Sequence, residues 1–288
     1  MISYPPLQQV RIRIKYCVIS AWRVAHRAAC LDAPENSLEA VRLAAKNGAK
    51  WVEFDVSFSS DLSSIAFHDD TLDRVTTASG PVNSLTYTQL SKLDLATKHP
   101  LSASFNNVRI PSVEEFVAEC VKLDLKMIID LKTWELPEET VNLVLSLRKQ
   151  FPTLKTNSII TSFFPTLLYK LRSSDPSIVT AVSTRPYFLS LATWEGVSYG
   201  MRPRFSGIKQ WVAMFLDMLY TPMLEQILWW MVGLSAVLVH RAVITREYVD
   251  MWKRKGVRVM AWTVNCPVEK KFMRQVLGVQ VLTDTLEN

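Results

Sequence analysis

Several common sequence features are missing from this chain. The four cysteines are far apart and form neither a C-x-x-C pair nor a disulfide framework, so isolated thiols are expected at Cys17, Cys30, Cys120 and Cys266. No N-x-[ST] acceptor occurs, which disfavours a heavily glycosylated ectodomain. The cysteines leave the redox compartment undecided.

Long apolar runs and long basic runs are also absent. The longest apolar candidate, residues 227–239, has the length of a buried core segment or an interfacial helix rather than of a membrane span. Residues 1–20 do not resemble a signal peptide, because Arg11, Arg13 and Lys15 interrupt the apolar stretch. The net charge of +6 comes without an RNP motif or a zinc finger. Nucleic acid is therefore not an expected partner, whereas an anionic substrate or an acidic membrane surface fits the charge.

Helix and strand signals alternate along the rest of the chain. The hydrophobic fraction of 49% supports a real core, and about eight short β-type runs are separated by helical segments, as in residues 51–58 and 126–132. The segment 34–48 is predicted to be a helix with Pro34 in its first turn and Gly48 at its end. A (β/α)₈ TIM barrel of roughly 250 residues would nearly use up the 288 residues, so residues 21–288 are predicted to form one α/β barrel.

Two segments interrupt the alternation. Residues 70–110, after the sequence FHDD, form an irregular excursion with a short helix. Residues 187–235 are rich in aromatic residues and methionine and form a hydrophobic helical insertion. We expect this insertion to be either a helical pair packed on the outside of the barrel or a membrane-facing element, since Trp and Tyr favour membrane interfaces. Asp217 and Glu225 argue against a simple spanning helix.

A polar set lies at the ends of the predicted strands. Residues i and i+2 of a strand point to the same face, so Glu53 projects with Asp55, and Asp130 projects with Lys132. Apolar flanks make an unpaired carboxylate pair costly unless a cation balances it. Two imidazoles and a further cation complete the set, namely His26, His68 and Arg27. Three carboxylates with these groups at strand ends indicate metal-assisted chemistry on a phosphate.

Seven short motifs follow one another between Val24 and the C-terminus: AHR, APEN, EFD, FHDDTLDR, IIDLK, AWTVN and LTD. Their sequences and their order resemble those of the glycerophosphodiester phosphodiesterase family. The aromatic insertion resembles the membrane-associated glycerophosphoinositol phosphodiesterase branch of animals. The resemblance implies a TIM barrel that hydrolyses the phosphodiester of deacylated or lyso-glycerophospholipids with a divalent cation, Mg²⁺ before Ca²⁺. It also implies association with an endomembrane or the plasma membrane, and it identifies no protein partner.

The resemblance carries roles to individual positions. Glu53, Asp55 and Asp130 match the family's metal ligands, and His26 and His68 match its acid/base pair. The positions that hold phosphate oxygens correspond to Arg27 and Lys132. Trp262 stacks on the glycerol or headgroup, or else packs in the core. Glu35 is expected beside the site, holding His26 or Arg27. We expect Asp284 to bond backbone, and His99 and His240 to have no part in the site.

One departure from the family pattern concerns the loop after His26. The family usually has glycines after this HR pair, where the chain has Ala28 and Ala29, and the chain has 8 glycines in all. Glycine serves where φ is positive or where a ligand approaches the backbone. Three hypotheses therefore stay open: an active phosphodiesterase, a catalytically weak barrel that acts as a membrane-associated binding or regulatory protein, and a lysophospholipase D selective for acylated substrates.

Overall fold

The computed structural model describes residues 23–133, 135–193 and 201–286. In these ranges eight parallel strands close into a barrel, in the order β1-β11-β10-β9-β6-β5-β4-β2 with β2 returning to β1. They are β1 (Arg23–Ala25), β2 (Trp51–Phe58), β4 (Lys126–Leu131), β5 (Ser158–Ser162), β6 (Thr180–Thr184), β9 (Ala236–His240), β10 (Arg258–Trp262) and β11 (Gln280–Thr283). The prediction of a TIM barrel is confirmed. The predicted N-terminal segment 1–20 lies outside the described residues.

Three short strands lie outside the barrel cylinder. β3 (Ser64–Ala66) pairs antiparallel with the end of β2. β7 (Leu191–Thr193) and β8 (Arg202–Pro203) form a separate antiparallel pair between β6 and β9. The β7–β8 pair therefore belongs to the segment that was predicted to be an insertion.

The inward-facing rows of the barrel change from apolar to acidic along the strands. Trp51 and Ile128 pack in an apolar cluster on the barrel floor. Because strand side chains alternate between faces, the next inward residues after Trp51 are Glu53 and Asp55, and the next after Ile128 is Asp130. The parallel register places Asp55 beside Asp130. The strand pattern thus gathers three carboxylates at the mouth of the barrel.

Helices cover the outside of the barrel. They are α1 (Leu38–Lys46), α2 (Tyr87–Leu90), α3 (Val113–Lys122), α4 (Pro137–Gln150), α5 (Leu154–Asn157), α6 (Pro165–Ser174), α7 (Ile208–Met223), α8 (Trp229–Val232), α9 (Arg246–Arg254) and α10 (Pro267–Lys271). The outward strand residues, such as Phe54 against Phe116 at 4.3 Å between ring centroids, fill the layer between sheet and helices. This layer and the floor cluster together hold the barrel mouth in place.

The predicted start of the first helix is wrong. The helix begins at Leu38, not in the turn that contains Pro34, because Ser37 caps it by accepting a hydrogen bond from the Ala40 N–H at 3.1 Å. This leaves Glu35 and Asn36 in a loop that reaches the barrel mouth. Asn36 adopts a left-handed φ of 54° there.

The excursion at residues 70–110 has a small core of its own. Leu72, Leu90, Val108 and Ile110 are buried together in it, separate from the barrel core. An ion pair between Arg109 Nη2 and Glu115 Oε1 (2.6 Å) joins the end of the excursion to α3.

In residues 187–193 and 201–235, the described part of the insertion, there is one continuous helix rather than a pair. α7 continues through a wider π-helical turn at residues 224–228, just after Pro222, into α8. Asp217 on its buried side accepts hydrogen bonds from the N–H groups of Leu189 and Ser190, both at 2.8 Å. The helix is thereby attached to the loop after β6. Within the described ranges, none of the helices is both long and apolar enough to cross a membrane.

Candidate active site

Three carboxylates lie together at the mouth of the barrel. Glu53, Asp55 and Asp130 are 3%, 1% and 4% exposed, and one oxygen of each lies within 4.8 Å of the others. Burial, followed by repulsion from Asp55, raises the pKa of Glu53 to about 7. Burial also raises the pKa of Asp130. Burial acts in the same direction on Asp55, but the positive charges of Lys132, His68 and Arg27 outweigh it and lower its pKa. So much buried negative charge calls for a cation.

Asn36 and the loop after β1 hold two of these carboxylates. The Asn36 side-chain amide donates to Asp55 Oδ2 at 2.9 Å, and its carbonyl accepts from the Asp55 N–H at 3.2 Å. The backbone N–H of Arg27 donates to Glu53 Oε2 at 2.8 Å. Arg27, Ala28 and Ala29 all have left-handed φ values, of 48°, 64° and 68°. The two alanines therefore occupy the conformation that favours glycine, and Arg27 still reaches Glu53.

Both candidate catalytic histidines are held by a carboxylate. His26 Nδ1 lies 2.6 Å from Asp284 Oδ1, and His68 Nδ1 lies 2.5 Å from Asp69 Oδ1. Such a bond fixes the ring and leaves Nε2 available for proton transfer. Burial lowers the pKa of His26, but Glu53 and Asp284 outweigh it and the net shift is upward. The pKa of His68 is lowered by burial and then by the charge of Lys132.

Two cations lie against the carboxylates. Lys132 Nζ is 2.5 Å from Asp130 Oδ2 and 3.0 Å from Asp55 Oδ1, and Arg27 Nε is 3.7 Å from Asp55 Oδ2. Burial opposes protonation of Lys132, yet Asp130 and Asp55 raise its pKa above the ordinary value. Glu35 contacts Arg27 rather than His26, since its Oε1 lies 3.3 Å from Arg27 Nη1. Both cations are therefore charged at neutral pH and face the same space.

These groups line one open cleft of about 790 Å³. It includes all the predicted site residues except Asp55, which lies beneath the lining. The wall across the barrel mouth is aromatic and basic, and is formed by Phe163, Phe164, Arg185, Phe188, Arg204, His240, Arg241 and Trp262. The Trp262 ring meets His240 edge-on at 5.2 Å between centroids, so His240 belongs to the cleft, against expectation.

Several residues around the histidines were not assigned these contacts from the sequence. Among the described residues, the Asp284 carboxylate bonds the side chains of His26 and Asn265 rather than backbone, against expectation, and Cys30 Sγ lies 3.0 Å from the oxygen that meets His26. Arg74 bridges Glu35 and Asp69 with contacts of 2.7 Å to each. The sequence FHDDTLDR contains Asp69 and Arg74, and the order of charges in that short motif was the available signal. Nothing local indicated that Asp284 would meet a histidine 258 positions away.

Solved structures share this architecture. A phosphodiesterase of Oleispira antarctica, solved in complex with the product sn-glycerol-3-phosphate, is 22% identical, with a TM-score of 0.70 over 91% of this chain and 92% of that one. A glycerophosphodiester phosphodiesterase of Thermotoga maritima is 20% identical, with a TM-score of 0.61 over 92% and 96%. At these identities the likeness shows the barrel fold.

Sequence relatives carry the comparison further. Glycerophosphodiester phosphodiesterase 1 of Bos taurus is 39% identical over 91% of this chain and 77% of its own length. The protein of the same name in Homo sapiens is 36% identical over the same shares. The profile described as the Glycerophosphoryl diester phosphodiesterase family matches residues 26–288. The resemblance noted in the motifs is thus confirmed, and the chain belongs to this family of phosphoric diester hydrolases.

Proposed function

We propose that this enzyme hydrolyses the phosphodiester of small glycerophosphodiesters such as glycerophosphoinositol and releases the alcohol headgroup. The observation that carries the proposal is the arrangement in one cleft of two carboxylate-held imidazoles and two cations around three buried carboxylates. This set supplies proton donors and acceptors together with positive charge for a phosphoryl group.

The three carboxylates suit a hard divalent cation, and we expect Mg²⁺ in preference to Ca²⁺. Asp55 Oδ1 and Asp130 Oδ1 are both buried; Asp130 Oδ1 makes no hydrogen bond with any described residue, and Asp55 Oδ1 lies 3.0 Å from Lys132 Nζ. With Glu53 they offer an all-oxygen donor set, which both cations prefer, and Mg²⁺ usually takes a few carboxylates and keeps waters or substrate oxygens. A bound cation would neutralise charge on the phosphoryl oxygens.

The chain's own groups can account for the proton transfers. Arg27 and Lys132 hold the non-bridging phosphate oxygens. One imidazole accepts the proton of the attacking hydroxyl, which belongs to water or to the neighbouring glycerol, while a new P–O bond forms. The other imidazole donates a proton to the alcohol oxygen as its P–O bond breaks. Where the glycerol hydroxyl attacks, the product of this step is a cyclic phosphate, which water then opens to glycerol phosphate with the two imidazole roles exchanged. Trp262 lines the cleft, where its ring can stack on the glycerol or the headgroup.

The products test this proposal. Phosphorus NMR of glycerophosphoinositol incubated with enzyme and Mg²⁺ should show conversion to glycerol phosphate, with free inositol detected separately. Inositol phosphate and glycerol as products would contradict the assigned bond cleavage. A parallel incubation with lysophosphatidylcholine tests the lysophospholipase D hypothesis, because exclusive release of choline from that lipid would favour it.

We also propose that the insertion docks on a membrane surface, at an endomembrane or the plasma membrane. An apolar stripe at helical spacing faces outward from α7, with Ile208, Trp211, Phe215 and Met218 between 55% and 79% exposed. The opposite side of the helix carries the buried Asp217. A helix whose apolar face is outermost, beside exposed basic residues such as Lys209, is typical of interfacial helices that lie on anionic lipid.

A further inference from the structure

The wall of the cleft opposite the carboxylates contains two arginines that the proposed reaction does not use. β9 lies four strands from β2 in the eight-stranded barrel and β6 is next to it, so loops after these strands face the carboxylates across the mouth. Arg185 follows β6, and Arg204 follows β8 in the connection to β9. Both side chains line the cleft.

No carboxylate in the described parts of the chain forms an ion pair with Arg185 or Arg204. Their guanidinium groups donate to backbone carbonyls: Arg185 Nη2 to Leu191 at 2.8 Å, and Arg204 Nη2 to Phe188 and Leu191, both at 3.1 Å. Backbone carbonyls orient a guanidinium without neutralising its charge. The other cleft arginines differ, since Arg27 meets Glu35 and Arg241 meets Glu269 at 2.8 Å.

Arg185 is also partly desolvated, and the charge of Arg204 repels it. Burial, and next the charge of Arg204, lowers the pKa of Arg185 to about 10, so it remains charged at neutral pH. Asp217 opposes this shift more weakly, and both its oxygens are occupied by backbone N–H groups. An anion between the two guanidinium groups would relieve the repulsion.

Two stacked rings connect these arginines with the phosphate-binding side of the cleft. Lys132 Nζ lies 5.7 Å from the centroid of Phe163, which stacks on Phe188 at 4.7 Å. The guanidinium carbons of Arg185 and Arg204 lie 5.7 and 5.8 Å from the centroid of Phe188. A headgroup that leaves the phosphate at Lys132 would therefore extend along two apolar rings toward a pair of cations.

We propose that Arg185 and Arg204 form a subsite for an anionic headgroup, so that the preferred substrates carry an additional phosphate on the alcohol to be released. This inference rests on the phosphodiesterase function proposed above. A phosphorylated cyclic polyol has the required form, with a ring to lie along the aromatic wall and a phosphate for the guanidinium pair. Arginine forms two parallel hydrogen bonds with such a group.

The same wall disfavours a choline headgroup. Aromatic rings often bind quaternary ammonium groups through their faces. Here two guanidinium groups already lie near Phe188, and a third cation would be repelled by both.

The test compares kcat/KM for glycerophosphoinositol and for its headgroup-phosphorylated form, in wild type and in Arg185→Gln, Arg204→Gln and Arg202→Gln. Arg202 lies in β8 two residues before Arg204, is exposed and does not line the cleft, which makes it the matched control. Wild type should prefer the phosphorylated substrate on the order of tenfold, the gain expected for one charge-assisted contact. Either cleft substitution should abolish most of that preference and leave glycerophosphoinositol turnover within about threefold, while the control keeps the preference.

Equal turnover of the two substrates by wild type would overturn the inference and leave the phosphodiesterase function intact. A proportional loss on both substrates in Arg185→Gln and Arg204→Gln would indicate a structural role and would also overturn it. If wild type turned over neither substrate, the result would count against the proposed function instead. In that case calorimetric titration with inositol monophosphate and with inositol decides, because the subsite predicts binding of the monophosphate alone, lost in Arg185→Gln and kept in Arg202→Gln.

Discussion

At the scale of single residues, the loop after His26 shows why alanine can replace glycine. A left-handed residue with a Cβ costs about 1–2 kcal/mol relative to its usual conformation. Ala28 and Ala29 are both 1% exposed, and burying a methyl group returns roughly 0.8 kcal/mol. Alanine also restricts the unfolded chain more than glycine, by about 0.4–1 kcal/mol. The cost of the left-handed conformation and the two favourable contributions are similar in size, so the loop keeps its geometry with alanine at these positions.

The double substitution Ala28→Gly with Ala29→Gly should therefore change little. We expect the free energy of unfolding, from urea titration, to stay within about 1 kcal/mol of wild type. Turnover of glycerophosphoinositol should stay within about threefold, since Arg27 already reaches Glu53. A rise in turnover of tenfold or more would show that the alanines displace His26 or Arg27.

Substrates with different leaving groups separate the roles of the two histidines. His26→Ala and His68→Ala should each lower turnover of glycerophosphoinositol by a factor of about 10²–10⁴, the usual contribution of general acid–base catalysis. A p-nitrophenyl ester of glycerol phosphate has a leaving group that needs no proton. Turnover of this ester should be restored in the variant that lacks the acid and in that variant alone. Restoration in both variants, or in neither, would contradict the division of roles.

Local alternation explains which site residues could be predicted from the sequence. Glu53 with Asp55 follows from the two-residue repeat of β2, and Asp130 with Lys132 follows from the repeat of β4 continued one residue past its end. Asp284 could not be predicted in the same way, since its contact with His26 depends on closure of the barrel between β11 and β1.

At the scale of elements, the Arg109–Glu115 pair should make the junction of excursion and α3 sensitive to pH. Hydrogen bonds from Arg109 help to lower the pKa of Glu115 to about 2, below its ordinary 4.5. A lowered folded-state pKa means that the ion pair stabilises fully above pH 4.5 and is lost as the pH falls toward 2. Glu115→Gln should thus unfold at lower urea than wild type at pH 7, and the difference should shrink below pH 4.5.

The expected difference at pH 7 is below about 1 kcal/mol, because both side chains are partly exposed and screened. Glutamine can still cap α3 through the Ser112 N–H, so the helix itself should persist. A difference that stays constant from pH 7 to pH 3 would contradict the assignment to this ion pair.

Element types were easier to predict than element ends. The strands and helices of the barrel follow hydrophobic periodicity, whereas the start of α1 depends on a choice between Pro34 and Ser37 that only the cap geometry decides. The insertion was predicted to be a helical pair or a membrane-facing element from its aromatic and methionine content, which does not fix where a helix begins and ends. The helix passes Pro222 by means of the adjacent π-helical turn.

At the scale of the whole molecule, the exposed stripe on α7 predicts binding to anionic vesicles. Trp211→Glu with Phe215→Glu should abolish co-sedimentation with phosphatidylserine-containing vesicles, because two charges would be placed in the lipid interface. Turnover of soluble glycerophosphoinositol should not change, as neither residue lines the cleft.

Two exposed leucines in other regions provide the matched control. Leu62 and Leu101 are 54% and 46% exposed, and their double substitution by Glu adds the same charge away from α7. This control should sediment with vesicles as wild type does. Equal loss of sedimentation in the control, or none in the α7 variant, would contradict a docking surface on α7.

The barrel as a whole could be predicted because its strand order follows from alternation of strands and helices together with chain length. The headgroup wall could not, because Phe163, Arg185 and Arg204 come from loops whose paths the strand pattern does not fix. The insertion, whose position but not whose shape could be predicted, provides Phe188 and Arg204 of this wall and the exposed apolar surface of α7.

The central claim is that a cation held by Glu53, Asp55 and Asp130 supports phosphodiester hydrolysis in this cleft. The most direct measurement is the rate of inositol release from glycerophosphoinositol by EDTA-treated enzyme as Mg²⁺ or Ca²⁺ is added back, for wild type, Asp55→Asn and Asp124→Asn. Asp124 is exposed before β4, where its left-handed φ of 52° also suits asparagine. We predict that Mg²⁺ restores release in wild type and Asp124→Asn but not in a folded Asp55→Asn. Full activity in EDTA, or in Asp55→Asn, would contradict the account.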